Sequence, residues 1–186
     1  MSEFVLDIPK NNTGGIFLNP VQAVGNFGLD LGMQVADFGA GAGHFTKAMA
    51  DIIGGSGKVT AIDILDSAIE TIEGQKRISG LFQIQTSKSN LEKPNGSNLP
   101  DASQDLVLCA NILHQVQNPQ NILNEAYRIL KLQGKLFVID WFEQGIIGPP
   151  QRIPKDLVEK LATEIGFKKT GEIDAGGLHY GLEFKK

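Results

Sequence analysis

Cysteine is almost missing from this chain: Cys109 is the only one in 186 residues. An internal disulfide is therefore impossible, and a zinc site built on cysteines lacks its ligands. No surplus of basic charge is present either. Seventeen Lys and Arg face 21 Asp and Glu, a net charge of −4. Proteins that grip nucleic acid by its phosphates draw on counterion release and usually carry a basic excess. A nucleic-acid partner is thus not expected from the total, although a local basic patch is compatible with an acidic sum. No apolar run approaches the roughly 18 residues that a membrane span requires. The opening Met1-Ser2-Glu3-Phe4 lacks a basic stretch followed by an apolar one, so no secretion signal is expected and the default location is cytoplasmic. Internal repeats and long low-complexity tracts are absent as well. What remains is ordinary for a globular protein: 41% hydrophobic residues and 20% charged ones. The length fits one domain with a sizeable core.

Along the chain, strand and helix signals alternate. Residues 1–15 are broken by Pro9, Asn11, Asn12, Gly14 and Gly15. A short helix is expected within 20–29. Residues 1–29 thus read as a lead-in, and 30–186 as the domain proper. Apolar runs predict strands at 34–38, 58–63, 81–86, 105–110 and 135–141, the fourth continuously apolar as a central parallel strand should be. Helical spacing predicts helices at 44–53, with Phe45, Ala48, Met49 and Ile52 inward, and at 67–77, with Ile69, Ile72 and Ala68 inward. A third helix runs from Pro119 to Leu130, with Gly134 capping its end, and a fourth covers 154–165. Two closing strands, 167–172 and 178–184, form a hairpin around Gly176-Gly177. Alternating strands and helices imply a parallel sheet with right-handed crossovers. The hairpin breaks that rhythm, so one of its strands should run antiparallel.

The densest signal is Val35-Ala36-Asp37-Phe38-Gly39-Ala40-Gly41-Ala42-Gly43-His44, a buried strand meeting a glycine loop that opens a helix. Glycines let the backbone turn tightly and let a ligand approach where a Cβ would stand. The next strand ends in Asp63, 63 − 43 = 20 residues beyond Gly43. An acid at that spacing can accept hydrogen bonds from both ribose hydroxyls of an adenosine ligand. Dinucleotide folds use G-x-G-x-x-G here. Counted from Gly39 that pattern needs Gly or Ala at 44, and counted from Gly41 it needs one at 46; His44 and Thr46 stand there. Asp37, two residues before the first glycine, would also repel a pyrophosphate but favour a cation.

On these residues the chain resembles the class I S-adenosylmethionine (SAM) dependent methyltransferases. Asp37-x-Gly39-x-Gly41-x-Gly43 matches the family's first motif and Asp63 its second-strand acid. The resemblance extends from about residue 30 to the end and is nearest to the small-molecule branch that includes quinone-biosynthesis methyltransferases. That branch shares the phrasing of Leu99 to Val107 and of Ile112-Leu113-His114. It implies an α/β, Rossmann-like sheet of seven mostly parallel strands in the order 3-2-1-4-5-7-6, strand 7 antiparallel, with helices on both faces. It implies SAM as cofactor and S-adenosylhomocysteine as product. The implied cofactor contacts are Asp37, Gly39, Ala40, Gly41, Gly43, His44, Asp63, Ile64, Asn90, Leu91 and Asn111. Asn90 departs from the pattern, standing where the family often has an acid that contacts the adenine amino group.

For catalysis the candidates are His114 and Asp140. An imidazole near neutrality suits proton removal, and His114 follows the fourth strand at the sheet edge where open α/β folds bind ligands. Asp140 ends the fifth strand near the expected acceptor. Plainer roles stand beside these: packing for His114, a cap or solvated acid for Asp140, and a cap on the loop's own amides for Asp37. His179 and Tyr180 read as surface or packing residues, and Cys109 as core. No metal site is expected. The Asn/Asp-Pro-Pro-Tyr/Phe motif of many amino-group methyltransferases is replaced by Asn111-Ile112-Leu113-His114. The expected function is methyl transfer from SAM to a small molecule. The rivals are a protein that only binds SAM, an RNA methyltransferase guided by a partner, and an NAD-dependent oxidoreductase, which the loop spacing disfavours. Residues 11–18 are expected to fold over the cofactor.

Overall fold

The computed structural model describes residues 17–186. A single sheet runs through it, built from β1 (Gln34–Phe38), β2 (Lys58–Asp63), β3 (Ile84–Lys88), β4 (Gln104–Ala110), β5 (Leu130–Trp141), β6 (Lys168–Glu172) and β7 (His179–Lys185). Their order is β3-β2-β1-β4-β5-β7-β6. The β1–β2, β1–β4, β2–β3 and β4–β5 pairs are parallel, whereas β7 is antiparallel to both β5 and β6. The expected seven-stranded Rossmann-like arrangement is thus the one observed.

The helices are α1 (Pro20–Val24), α2 (His44–Ile53), α3 (Asp66–Ser79), α4 (Pro119–Ile129) and α5 (Lys155–Ile165). Each starts or stops for a local reason. The Asn19 side chain accepts from the amides of Val21 and Gln22, and Pro20 presets the first turn of α1. Asp66 opens α3 and Lys76 and Arg77 close it, the charge order that suits the helix dipole. Gly80 then leaves α3 in a left-handed conformation.

Strand alternation divides the core in two. Phe38, Ile62, Val107, Cys109, Val138 and Leu182 point to one face and meet α4 and α5. Val35, Val59, Leu106, Leu108, Phe137 and Ile139 point to the other and meet α1, α2 and α3. Lead-in residues 17–29 join this second face: Ala23, Val24 and Phe27 are buried, and the Phe27 ring stacks on Phe137 at 4.2 Å.

Several boundaries and faces differ from expectation. The third strand lies at Ile84–Lys88 rather than 81–86, because Ile84 is the residue that pairs with Val59. The first helix stops at Val24. Gly134 does not cap α4. The chain leaves the helix at Leu130, which pairs with Gln104, and Gly134 lies in a break of register within β5, after Gln133 at φ +69° and before Lys135 pairs with Leu106. On α2 the inward residue is Ile53 rather than Ile52, which is 36% exposed.

Candidate functional site

The carboxyl ends of β1, β4 and β5 and the amino end of the antiparallel β7 open onto a cavity of about 430 Å³. Its walls include Asp37, Gly39, Ala40, Gly41, His44, Ala110, Asn111, Trp141 and His179, with Phe17, Leu18 and Phe45 at its edge. Of the segment expected to cover a ligand, residues 11–16 lie outside the described residues. Among the described residues no lysine or arginine lines the cavity.

The glycine loop is built by three glycines with different tasks. All three have positive φ: +69° at Gly39, +53° at Gly41 and +78° at Gly43. A Cβ on Gly39 would stand 2.7 Å from Ile112 Cδ1, and one on Gly43 would stand 2.7 Å from Ile72 Cγ1. Those two positions are closed by packing. A Cβ on Gly41 would meet nothing nearer than 4.0 Å and lies on the cavity wall, so that glycine leaves room for a ligand. Gly43 is buried beneath α3 and does not line the cavity. The helix that follows, α2, has no cap from the side chain of its N-cap residue Gly43; the Thr46 amide turns to Asp37, and those of His44 and Phe45 remain available at the cavity rim.

Asp37 points toward α2. Its carboxyl is 2% exposed and accepts a hydrogen bond from the Thr46 hydroxyl at 2.5 Å. Burial pushes its pKa up to about 6; the Thr46 hydroxyl and amide oppose the shift, and Asp63 adds to it. Across the cavity Asn111 sits at φ +56°, and its Oδ1 is buried with no protein partner among the described residues. The cavity therefore presents a buried carboxyl and an orphaned carbonyl, two acceptors with no cation among the described residues to answer them.

Asp63 lies beside the cavity rather than in its wall. Its Oδ2 accepts from the Gly41 amide at 2.8 Å and its Oδ1 from the Leu65 amide at 3.0 Å. Each oxygen keeps a lone pair free, and the pair of bonds ties β2 to the glycine loop. Ile64 next to it is 56% exposed. Asn90 spends its Oδ1 on the Glu92 amide at 2.9 Å, and the Leu91 side chain is in the core.

His114 and Asp140 come together, but not at the cavity. His114 Nδ1 lies 2.7 Å from Asp140 Oδ1, and the His114 amide donates to Asp140 Oδ2 at 3.3 Å. The Trp141 amide also donates to Asp140 Oδ1, at 2.8 Å. Asp140 is fully buried on the α4–α5 face of the sheet, and neither residue lines the cavity. The pair pins the turn after β4 to the end of β5, and so fixes Asn111 and Gln115 at the wall. His179, which reads from the sequence as a surface or packing residue, is 5% exposed and lines the cavity, and neither ring nitrogen has a protein partner among the described residues. Its register opposite Trp141 is the signal that would have found it.

Among the described residues no group of three or more His, Cys, Asp or Glu side chains is placed to hold a metal ion, and no helix is long and apolar enough to cross a membrane.

The family model described as a methyltransferase domain matches residues 29–166. Over 141 residues the chain is 30% identical to the ubiquinone/menaquinone biosynthesis C-methyltransferase UbiE of Pasteurella multocida, covering 75% of this chain and 51% of that protein. It is 27% identical over 112 residues to the arsenite methyltransferase of Homo sapiens, covering 57% of this chain and 30% of that one. The chain thus spans about half the length, or less, of these curated relatives. The crystal structure of a SAM-dependent methyltransferase from Aquifex aeolicus superposes with a TM-score of 0.82 at 27% identity, over 91% of this chain and 90% of that one.

Proposed function

Since this chain belongs to the class I SAM-dependent methyltransferase family, we propose that it transfers the SAM methyl group to a small, uncharged acceptor bound in the same cavity. The observation that carries this is the polarity of the wall: Asp37 and Asn111 Oδ1 are buried acceptors with no lysine or arginine beside them among the described residues. That pattern fits a ligand with an ammonium and a sulfonium, and it opposes a pyrophosphate. Asp37 and Asn111 would hold the cationic end, Gly41 and Ala40 would let it approach, and the first turn of α2 at His44 would face its carboxylate. The free lone pairs of Asp63 would take the ribose hydroxyls, with Ile64 flanking the base and the 90–91 backbone at its edge.

When bound, SAM supplies a methyl carbon on a sulfonium that departs as a neutral thioether. The protein's own work is then alignment and exclusion of water. Phe17, Phe45 and Trp141 give apolar walls, and Asp37 stays largely ionised at neutral pH to hold its cation. The His114–Asp140 pair keeps the wall in place and acts through Asn111 rather than on the acceptor. That no described residue of the wall is cationic also weighs against RNA as the acceptor at this site. Arsenic methylation, which uses several cysteines, is disfavoured. Cys109 is the only thiol, and it is buried in β4, where desolvation pushes its pKa well up.

The test is calorimetric titration with SAM, S-adenosylhomocysteine and NAD, repeated on Asp63→Ala. We expect both adenosyl ligands to bind and NAD not to, with affinity down at least about tenfold in the variant, or roughly 1.4 kcal/mol. Tighter binding of NAD than of SAM, or no binding of SAM, would overturn the proposal. Transfer of labelled methyl to an acceptor separates an enzyme from a protein that only binds SAM.

A further inference from the structure

Three buried side chains end without protein partners among the described residues: Thr60 Oγ1, Asn111 Oδ1 and both ring nitrogens of His179. Thr60 lies inside β2, away from the cavity. Asn111 is absorbed by the cofactor site. His179 is not. An imidazole that is 95% buried with neither nitrogen bonded is costly unless something else satisfies it. Its neighbour Tyr180, equally buried, does find a partner in the Ile153 carbonyl at 3.1 Å.

The position of His179 is as informative as its lack of partners. The cavity runs across the ends of four adjacent strands, β1, β4, β5 and β7. Asp37 and the glycine loop stand at the β1 end and His179 at the β7 end. Three inter-strand steps of about 4.8 Å separate them, or roughly 14 Å. The His179 ring lies against Trp141, with centroids 4.0 Å apart. It also walls a second cavity of about 260 Å³ lined by residues 172–177 of the last hairpin.

We propose that His179 is a binding residue for the methyl acceptor, its ring nitrogens hydrogen-bonding that molecule in the space beside Trp141. This rests on the assignment of the β1 end of the cavity to the cofactor. Burial lowers the His179 pKa to about 4; Asp140 opposes the shift, and His114 and Arg152 add to it. The ring is neutral at pH 7 and offers one donor and one acceptor. It therefore selects an uncharged group that can both give and take a hydrogen bond, such as a hydroxyl. Trp141 supplies a flat apolar wall next to it.

Phenol, one hydroxyl on a neutral ring, is the probe. Protein labelled with ¹⁵N at histidine and loaded with S-adenosylhomocysteine is titrated with phenol, and the His179 ring resonances are followed. We expect a saturable shift of those resonances. His179→Phe should weaken phenol at least about tenfold while changing S-adenosylhomocysteine affinity less than about twofold, and His179→Gln should retain most of the binding. The Phe variant should melt at or above the wild-type temperature, since it leaves no nitrogen unpaired. Unmoved His179 resonances, or unchanged phenol affinity in a folded His179→Phe variant, would overturn the assignment. If S-adenosylhomocysteine does not bind but phenol still shifts His179 in the free protein, the cofactor reading fails and the His179 site stands.

Discussion

Asp37 sets a stability requirement against a binding requirement on one carboxyl. Burial raises its pKa from 3.8 to about 6, so the folded protein resists its ionisation. A group whose folded pKa is raised contributes stability in full below the unfolded value of 3.8, and that contribution is lost as pH rises through about 6. Two units correspond to about 3 kcal/mol. Asp37→Asn, which keeps an acceptor for Thr46, should therefore raise the stability of the ligand-free protein at pH 7 by about 1–3 kcal/mol. The gain over wild type should shrink toward pH 4, as read by chemical denaturation across that range. The same variant should bind SAM at least about tenfold more weakly, and wild-type affinity should fall as pH drops below about 6 and Asp37 takes up a proton. Equal stability of the two proteins at pH 7 would show that this burial penalty is not present. The identity of this residue was legible from its place two positions before Gly39. Its burial was not, because that depends on α2 folding back to set Thr46 over it.

Within elements, the glycine loop separates packing from binding. Ala at position 41 or 43 must adopt positive φ, a cost of about 1–2 kcal/mol each. At 43 the methyl also meets Ile72 Cγ1 at 2.7 Å, adding about 1–3 kcal/mol of overpacking. Gly43→Ala should thus lose the most in a melting curve. Gly41→Ala should lose less stability but most of its SAM affinity, because its methyl enters the cavity. A Gly43→Ala variant as stable as Gly41→Ala would count against this division. The same scale shows why boundaries moved. The parallel strands β1, β2 and β4 announce themselves as apolar runs because both their faces are covered. Edge strand β3 has only Ile84 buried, so nothing local distinguishes 81–86 from 84–88. Gly134 reads locally as a helix stop, but pairing of Leu130 with Gln104 ends the helix sooner.

For the molecule as a whole, two half-cores share one sheet, and the lead-in belongs to one of them. Phe27 is fully buried and stacked on Phe137 of β5. Phe27→Ala should cost about 3–5 kcal/mol. It should lower the midpoint of one cooperative unfolding transition, with fluorescence of Trp141 and far-UV circular dichroism changing together. Non-coincident transitions would mean that the lead-in folds as a separate unit. At this scale the division between sequence and structure is clear. The order of apolar runs, the spacing of Asp37, Gly39, Gly41 and Gly43, and the acid at 63 are local facts, and they determined the fold class and pointed to the proposed cofactor site without coordinates. Which residues face the cavity was decided only by the sheet. Asp140 and Trp141 are neighbours in sequence, yet alternation sends one to the α4–α5 face and the other to the cavity. The β5–β7 register then sets His179 opposite Trp141 and Tyr180 opposite Asp140. That register pairs residues 38 positions apart, 179 − 141. A one-residue slip would exchange the two faces, which is why the sequence by itself could not tell that Trp141 and His179, and not Asp140 and His114, line the cavity.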